Sequence, residues 1–434
     1  MNRQMKESHV EWIKEIPSTW EVLRIKNVLQ ERKEKNDPIK TTEILSLTMD
    51  KGVIPYGDKK SGGNIAKEDL SAYKLAYPND IVLNSMNIIA GSVGLSNYFG
   101  CVSPVYYTLF PKHEGIYINF YNFLFQSTAF QRSLIGLGNG IMIKESHVSG
   151  KLNTIRMRIP MGRLNNVSVP VPSLSEQINI ASFLTQKVSQ IDSIIDDTKE
   201  SIKEFKKYKQ SLVTESITKG VKEDAEMIGS GIEWIGEMPK HWQAVKTKRL
   251  FYIKKNIANE EGHPILSVTQ QGLKIKDISK NEGQIATNYS KYQFVNIGDF
   301  VMNHMDLLTG WVDNSEFEGV TSPDYRVFRM KDSSKYLNEY YKYILQACYS
   351  NRIYYGLGQG VSNLGRWRLQ TDKFLNFVLP VPPLSEQRQI VEYLNEKCAH
   401  IDSLIEQKQQ LLIELETYKK SFIYEYVTGK KEVF

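Results

Sequence analysis

A chain of 434 residues exceeds what one hydrophobic core usually supports, so two or more domains are expected. Hydrophobic residues at 41%, charged residues at 24% and a net charge of +6 describe an ordinary globular protein that permits, without requiring, a polyanionic partner. No apolar run is long enough to span a bilayer, the N-terminal MNRQMKESHVEW lacks a signal-peptide core, and Cys101, Cys348 and Cys398 are too scattered for a disulfide framework or a zinc site, so a cytoplasmic location is expected.

The chain then says everything twice. SHVEWIKEIPSTW at 8–20 returns as SGIEWIGEMPKHW at 230–242, bringing Trp12 and Trp20 back as Trp234 and Trp242. EILSLTMDKGV (43–53) returns as PILSVTQQGLK (264–274), and YPNDIVLNSMN (77–87) as NIGDFVMNHMD (296–306), with Asp80 matching Asp299. CVSPVYYTLF (101–110) answers VTSPDYRVFR (320–329), GLGNG (136–140) answers GLGQG (356–360), and NTIRMRI (153–159) answers NLGRWRL (363–369). Extra residues in the first copy fall within 141–155. Short β-rich runs (Ile44–Thr48, Ile81–Asn84, Val105–Phe110; then Ile265–Thr269, Phe300–Asn303, Arg326–Arg329) alternate with Gly, Pro and Asn turns. Asn119–Leu134 and Asn338–Tyr354 read as aromatic-rich helices. Helices are too few for a doubly wound sheet, so each globular unit is expected to be α+β.

Each copy ends in a long helical stretch, and 169–222 aligns with 379–432 without a gap. Prolines open both, and Glu176 and Glu386 fall in the first turn, where a negative charge meets the positive end of the helix dipole. Leu184, Val188, Ile191, Ile195 and Ile202 in the first copy step by fours and threes, as do Leu394, Ile401, Ile405, Leu412 and Leu415 in the second. This is a coiled-coil seam. Lys408 and Lys419 interrupt it. A helix of ~40 residues would run about 60 Å at 1.5 Å per residue, and the other copy is the natural partner for its apolar stripe. The expected division is 1–172 and 223–382 for the globular units, with 173–222 and 383–434 for the long helices.

Chemistry-bearing candidates are sparse. SPVY and SPDY lack the Asn/Asp-Pro-Pro of an adenine methyltransferase loop, and the Gly turns lack G-x-G-x-x-G spacing. His263 and His304 sit in apolar runs and read as satisfied core histidines; Asp196 and Asp197 read as a solvated helix face. No metal or catalytic constellation emerges. Arginines are the better lead. Arg156 and Arg158, like Arg366 and Arg368, are spaced by two, so an extended backbone turns both forks to one face, suited to phosphate or a guanine edge. Arg132 and Arg352, just before the Gly turns, are further DNA-binding candidates.

The duplicated PVPxLSEQ helix start and the paired E-W-I-x-E-x-P-x-x-W opening resemble the specificity subunit of type I restriction-modification systems. The resemblance implies two target recognition domains joined by two long helices that pair as an antiparallel coiled coil, a pseudo-two-fold internal repeat. Each domain would read one half of a bipartite double-stranded DNA target, while the helices set the gap and dock methylation subunits. It implies a non-catalytic chain with two methylation subunits and added restriction endonuclease subunits as partners. S-adenosylmethionine, ATP and magnesium would belong to those partners, with no cofactor in this chain. The alternative is a non-catalytic coiled-coil scaffold binding protein partners, separable by the salt dependence of DNA affinity.

Overall fold

The structure, a computed structural model, describes residues 3–48, 51–59, 68–140, 143–145, 152–154, 158–222, 224–277, 288–359 and 367–433. The chain divides into two compact units: 1–199 with 409–434, and 200–408. The division falls inside the two long helices, Leu174–Lys219 and Leu384–Val427, rather than at their starts. Each unit therefore owns one globular half, the first part of the helix that follows it and the last part of the other helix.

The first unit is built on a four-stranded antiparallel sheet with strands in the order Leu29–Glu31, Tyr106–Pro111, Ile81–Asn84, Val93–Leu95. Its strands are short and covered on both faces: Ile81 and Leu83 pack into the main core, while Val82 on the other side packs with Leu45, Val53 and Val102. Around it lie two-stranded ribbons, including Glu21–Arg24 paired with Ser168–Val171 directly before the long helix. The helical stretch expected at 119–134 is broken. Ile118–Gln126 and Thr128–Ser133 are separated at Ser127, whose ψ of 124° is extended. Phe120, Tyr121, Phe125 and Phe130 are completely buried, and the core continues into Leu184, Val188, Phe422, Ile423 and Val427 of the long helices.

The second unit repeats the topology: Phe251–Lys254, Arg326–Met330, Phe300–Met302 and Val312–Asn314 form its sheet. Gln243–Lys246 pairs with Val378–Val381 before its long helix. Its aromatic helix, Asn338–Ser350, is unbroken. Its core likewise takes in Ile217, Ile390 and Leu394 from the long helices.

Within each unit the long helices run antiparallel, because contacts climb one helix as they descend the other. In the first unit Phe183 meets Tyr426 with ring centroids 4.9 Å apart, and Asp192 meets Lys419 at 2.5 Å. In the second, Lys408 lies over Phe205 (5.8 Å), Lys209 bonds Asp402 (2.6 Å) and Lys222 bonds Glu386 (3.2 Å). The seam residues Leu184, Val188, Ile191, Ile195, Ile202, Leu394, Ile401 and Ile405 are buried, while Leu412 and Leu415 are half-buried. The polar interruptions have partners: Lys419 with Asp192, and its repeat equivalent Lys209 with Asp402.

Both helices stop short of the ends read from sequence, so 220–222 and 428–433 lie beyond them. A glycine ends each, with φ of 80° at Gly220 and 70° at Gly429. The left-handed turn lets Lys430 N reach back to Glu425 O at 2.8 Å, which satisfies an orphan carbonyl of the last turn. A Cβ on Gly429 would also lie 2.5 Å from the Pro17 ring, so only glycine fits that approach.

Candidate nucleic-acid interface

The duplicated helix start is an anchor. Glu176, in the first turn, accepts the indole N–H of Trp20 at 3.1 Å and the guanidinium of Arg3. Glu386 accepts the indole of Trp242 at 2.8 Å, with His241 Nε2 at 3.0 Å and Lys222 at 3.2 Å. Burial pushes both carboxyls up, but these hydrogen bonds outweigh it and leave each below the ordinary carboxylate range. The adjacent glutamines are buried clamps. Gln177 Oε1 accepts Tyr117 N (2.8 Å) while its amide donates to Pro172 O and Gly115 O. Gln387 does the same with Leu337 N, Pro382 O and Lys335 O. Each E-Q pair thus ties its helix to the tryptophan turn and to the loop before the aromatic helix. The first copy adds a capping box, with Glu176 N donating to Ser173 Oγ (3.4 Å) and Ser173 N to Glu176 Oε2 (3.3 Å); Pro383 stands at that place in the second.

A second repeated tie braces the sheet. Asp80 grips Arg32 through two bonds of 2.7 and 3.0 Å and caps Tyr77 N; Asp299 meets Lys254 and Arg329 (3.2 Å) and caps Asn296 N. Both aspartates are almost wholly buried.

Four of the six candidate arginines fall among the described residues. Arg158 is exposed and extended, paired with Asn139 of the Gly turn through main-chain bonds of 2.9 and 3.1 Å. Arg368 is exposed and pairs with Gln359 in the same way, both bonds 3.1 Å. In the second Gly turn the glycine leaves room for a neighbouring side chain: a Cβ on Gly358 would stand 2.9 Å from Leu307 Cδ1. Arg156 and Arg366, the other member of each pair, lie outside the described residues. Arg132 is exposed in the last turn of Thr128–Ser133. Arg352 is exposed too, but left-handed with φ of 56°, just past the end of Asn338–Ser350. The structure thus brings Arg158 and Arg368 to matched places and gives Arg132 and Arg352 different backbones.

Beneath the matched arginines the two units differ. In the first, Ile159 N donates to Ser85 O (3.0 Å), and Ile159 O accepts the Tyr107 hydroxyl at 3.1 Å. In the second, Leu369 N donates to His304 O (2.9 Å), and Leu369 O accepts the guanidinium of Arg326 at 3.0 Å. Arg326 is buried, lies 4.7 Å over Phe374, and burial draws its pKa down to about 10. Sequence reading missed this residue; its only signal was an arginine in the strand run VTSPDYRVFR where the first copy has Tyr107. His304 is buried, as expected, but not satisfied, since its Nδ1 has no hydrogen-bond partner among the described residues. Burial first, then Arg326 and Arg368, hold its pKa down to about 3, so the ring is neutral. His263 corrects the sequence reading in the other direction. Its loop position leaves the side chain 30% exposed, 3.1 Å from Glu260 and beside Phe294. Asp196 and Asp197 are exposed on the first long helix.

Among the described residues no cluster of three or more His, Cys, Asp or Glu is placed to hold a metal ion, and no helix is long and apolar enough to cross a membrane. What the geometry offers is a pair of exposed, backbone-fixed guanidinium groups, one per unit, of the kind that grips phosphate or a base edge.

Comparison with known proteins agrees with this layout. Residues 17–204 and 239–417 match the type I restriction modification DNA specificity domain. The chain is 25% identical to the type I restriction enzyme MjaVIII specificity subunit of Methanocaldococcus jannaschii over 96% of this chain and 94% of that one. A solved structure described as the basis of complex assembly and conformational transition of the type I R-M system shares the fold, with a TM-score of 0.69, 16% identity and coverage of 96% and 99%. The HsdS subunit from Thermoanaerobacter tengcongensis matches at a TM-score of 0.51 with 15% identity, covering 96% and 98%.

Proposed function

The chain belongs to the type I restriction-modification DNA specificity family, with two copies of the specificity domain, and from that premise we propose that each unit reads one half of a bipartite duplex target. The observation that carries this reading is the repeated surface arginine on a repeated backbone bridge, Arg158 with Asn139 and Arg368 with Gln359, above unlike supporting residues. A common frame with different filling suits two domains that dock alike and read different bases. Phosphate contacts give the docking and base contacts the discrimination.

The long helices act as an antiparallel coiled-coil spacer between the two half-site readers in a pseudo-two-fold arrangement, and they set the unread gap. Two methylation subunits dock on the chain, and restriction endonuclease subunits join them. The chain itself is non-catalytic. S-adenosylmethionine, ATP and magnesium are held by those partners.

The test is direct. The chain is assembled with its methylation subunits in a host free of other methylation, and the modified bases of the genome are mapped. A two-part motif with a fixed gap is the expected result. Binding of the same assembly to a motif-bearing duplex weakens steeply with salt, as counterion release requires. A continuous motif, or affinity indifferent to salt, overturns the reading.

A further inference from the structure

The run S-P-x-Y at 103–106 and 322–325 folds into the same turn in both units. Tyr106 N donates to Ser103 O at 2.9 Å and Tyr325 N to Ser322 O at 3.0 Å, with proline second in each turn, where its fixed φ belongs. Each turn is pinned beside an exposed arginine. Two residues past its third place, Tyr107 and Arg326 donate to Ile159 O (3.1 Å) and Leu369 O (3.0 Å), on the residues that follow Arg158 and Arg368. In the first unit Ser85 adds a link, donating through Oγ to Val105 O at 2.7 Å and accepting Ile159 N at 3.0 Å. The turn is thus common to both units, and its third residue is not. Val105 is 37% exposed, and Asp324 in its place is exposed as well.

The other neighbours of the two arginines differ in the same sense. Met86, next to Ser85, and Ile135, at the head of the Gly turn that pairs with Arg158, are 41% and 37% exposed. With Val105 they give Arg158 accessible apolar neighbours on backbone bonded to its own strand. Their counterparts in the second unit are Met305, half-buried, and Tyr355, half-buried against Trp367 at 4.8 Å. There the accessible neighbour is the Asp324 carboxylate. An apolar side chain gains nothing from a phosphate and a carboxylate is repelled by one, so neither suits docking on the duplex backbone. Both have partners on base edges: an apolar group meets the thymine methyl, and an aspartate accepts from the cytosine amino group. The exposed guanidinium in each set supplies the positive charge that complements DNA.

We propose that the third residue of each S-P-x-Y turn is a specificity-determining residue, Val105 meeting the methyl group of a thymine in the first half-site and Asp324 the amino group of a cytosine in the second. The inference rests on the half-site reading above and adds to it which side chains distinguish one half from the other. Because the turn and its ties to the arginine strand are shared, exchanging the two side chains exchanges the bases they select.

The experiment is methylation mapping of the full chain, assembled with its methylation subunits, as wild type, Val105→Asp and Asp324→Val. Both side chains are exposed on turns, so the exchanges leave the cores untouched. Val105→Asp is expected to cost an A·T pair in the first half about tenfold or more against G·C at one position. Asp324→Val should cost a G·C pair in the second half as much against A·T. In each case the other half and the gap stay as they are. A smaller shift, an unchanged motif methylated at a lower rate, or altered positions in the half read by the other unit overturns the inference while leaving the half-site reading intact. A wild-type assembly with no two-part motif overturns the half-site reading itself and this inference with it. Should either exchange give too little assembled complex to map, Val105→Ala and Asp324→Asn decide: discrimination weaker by about tenfold or more at that one position upholds the inference, and anything less overturns it.

Discussion

The indole Nε1 of Trp242 donates a 2.8 Å hydrogen bond to Oε2 of Glu386, joining the tryptophan turn that opens the second globular half to the first turn of the helix that follows it. The residues are 144 apart in sequence. Trp20 and Glu176 repeat the bond in the first unit at 3.1 Å. These are the two motifs that make the duplication visible, and the structure explains why they travel together: each is the other's partner.

That bond sets an acid sensitivity. Glu386 is mostly buried, and hydrogen bonds from Trp242, His241 and Lys222 outweigh its burial and depress its pKa. A carboxyl depressed in the folded state contributes stability that is full above its unfolded pKa, about 4.3, and is lost as pH falls through the lower folded value. Glu386→Gln is expected to cost about 1 kcal/mol at pH 7, a charged hydrogen bond discounted for its open side. The difference from wild type should begin to close only as pH falls below about 4.3 and shrink further through the depressed folded value. Denaturant unfolding across pH 3–7, followed by tryptophan fluorescence, measures both. A gap that persists unchanged at pH 3 would show that the carboxylate charge is not what matters.

The candidate arginines separate by unit. Arg158→Ala is expected to cost about 1–3 kcal/mol of binding if its fork contacts a base, and to lower the salt slope by about one if it contacts a phosphate. In either case the loss should appear on duplexes that keep only the half read by the first unit. Arg368→Ala should mirror it on the other half. Competition binding with one half scrambled at a time reads out the assignment; equal losses on both half-duplexes would dissolve it.

Burial along the helices predicts which substitutions matter. Ile191 is 7% exposed and Ile401 4%, whereas Ile194, three residues along from Ile191, is 49% exposed. An unpaired aspartate at either seam position is expected to cost several kcal/mol, lowering the unfolding midpoint of the unit it belongs to. Ile194→Asp should stay within about 0.5 kcal/mol of wild type. Calorimetry of the three variants ranks them; comparable losses for Ile194→Asp and Ile191→Asp would remove the seam as the explanation.

The duplication, the α+β content and the seam were legible because they are periodic, and periodicity survives without coordinates. The lysines at 209 and 419 were not, because their aspartate partners come from the other helix at positions fixed only by the antiparallel register. His304 looked like an ordinary core histidine, since nothing in NIGDFVMNHMD tells whether its ring nitrogens find partners. Arg326 was hidden for a similar reason: Tyr107 does its work in the other copy, and tyrosine and arginine share no pattern but the carbonyl they reach. The compact units also cut across the expected boundaries. A helix whose first turn is anchored by Glu176 and Gln177 belongs to the core before it as much as to any spacer.

A spacer that measures DNA should be adjustable. Asp192 faces Lys419 in the first unit, so a residue near 199 stands opposite one near 412. Adding four residues after Lys199 and four after Leu411 lengthens both helices by about one turn while nearly restoring the face of the seam. At 1.5 Å per residue the added length is ~6 Å. At ~3.4 Å per base pair that is one to two base pairs of duplex. The expected outcome, read by methylation mapping, is that both half-sequences stay as they are and the gap between them grows by one or two. Because neither insertion touches Arg158, Arg368 or the E-Q anchors, altered half-sequences would mean that the helices help to shape the readers themselves. An assembled, active variant with an unchanged gap would mean that something other than helix length sets the spacing, and the spacer role would fall.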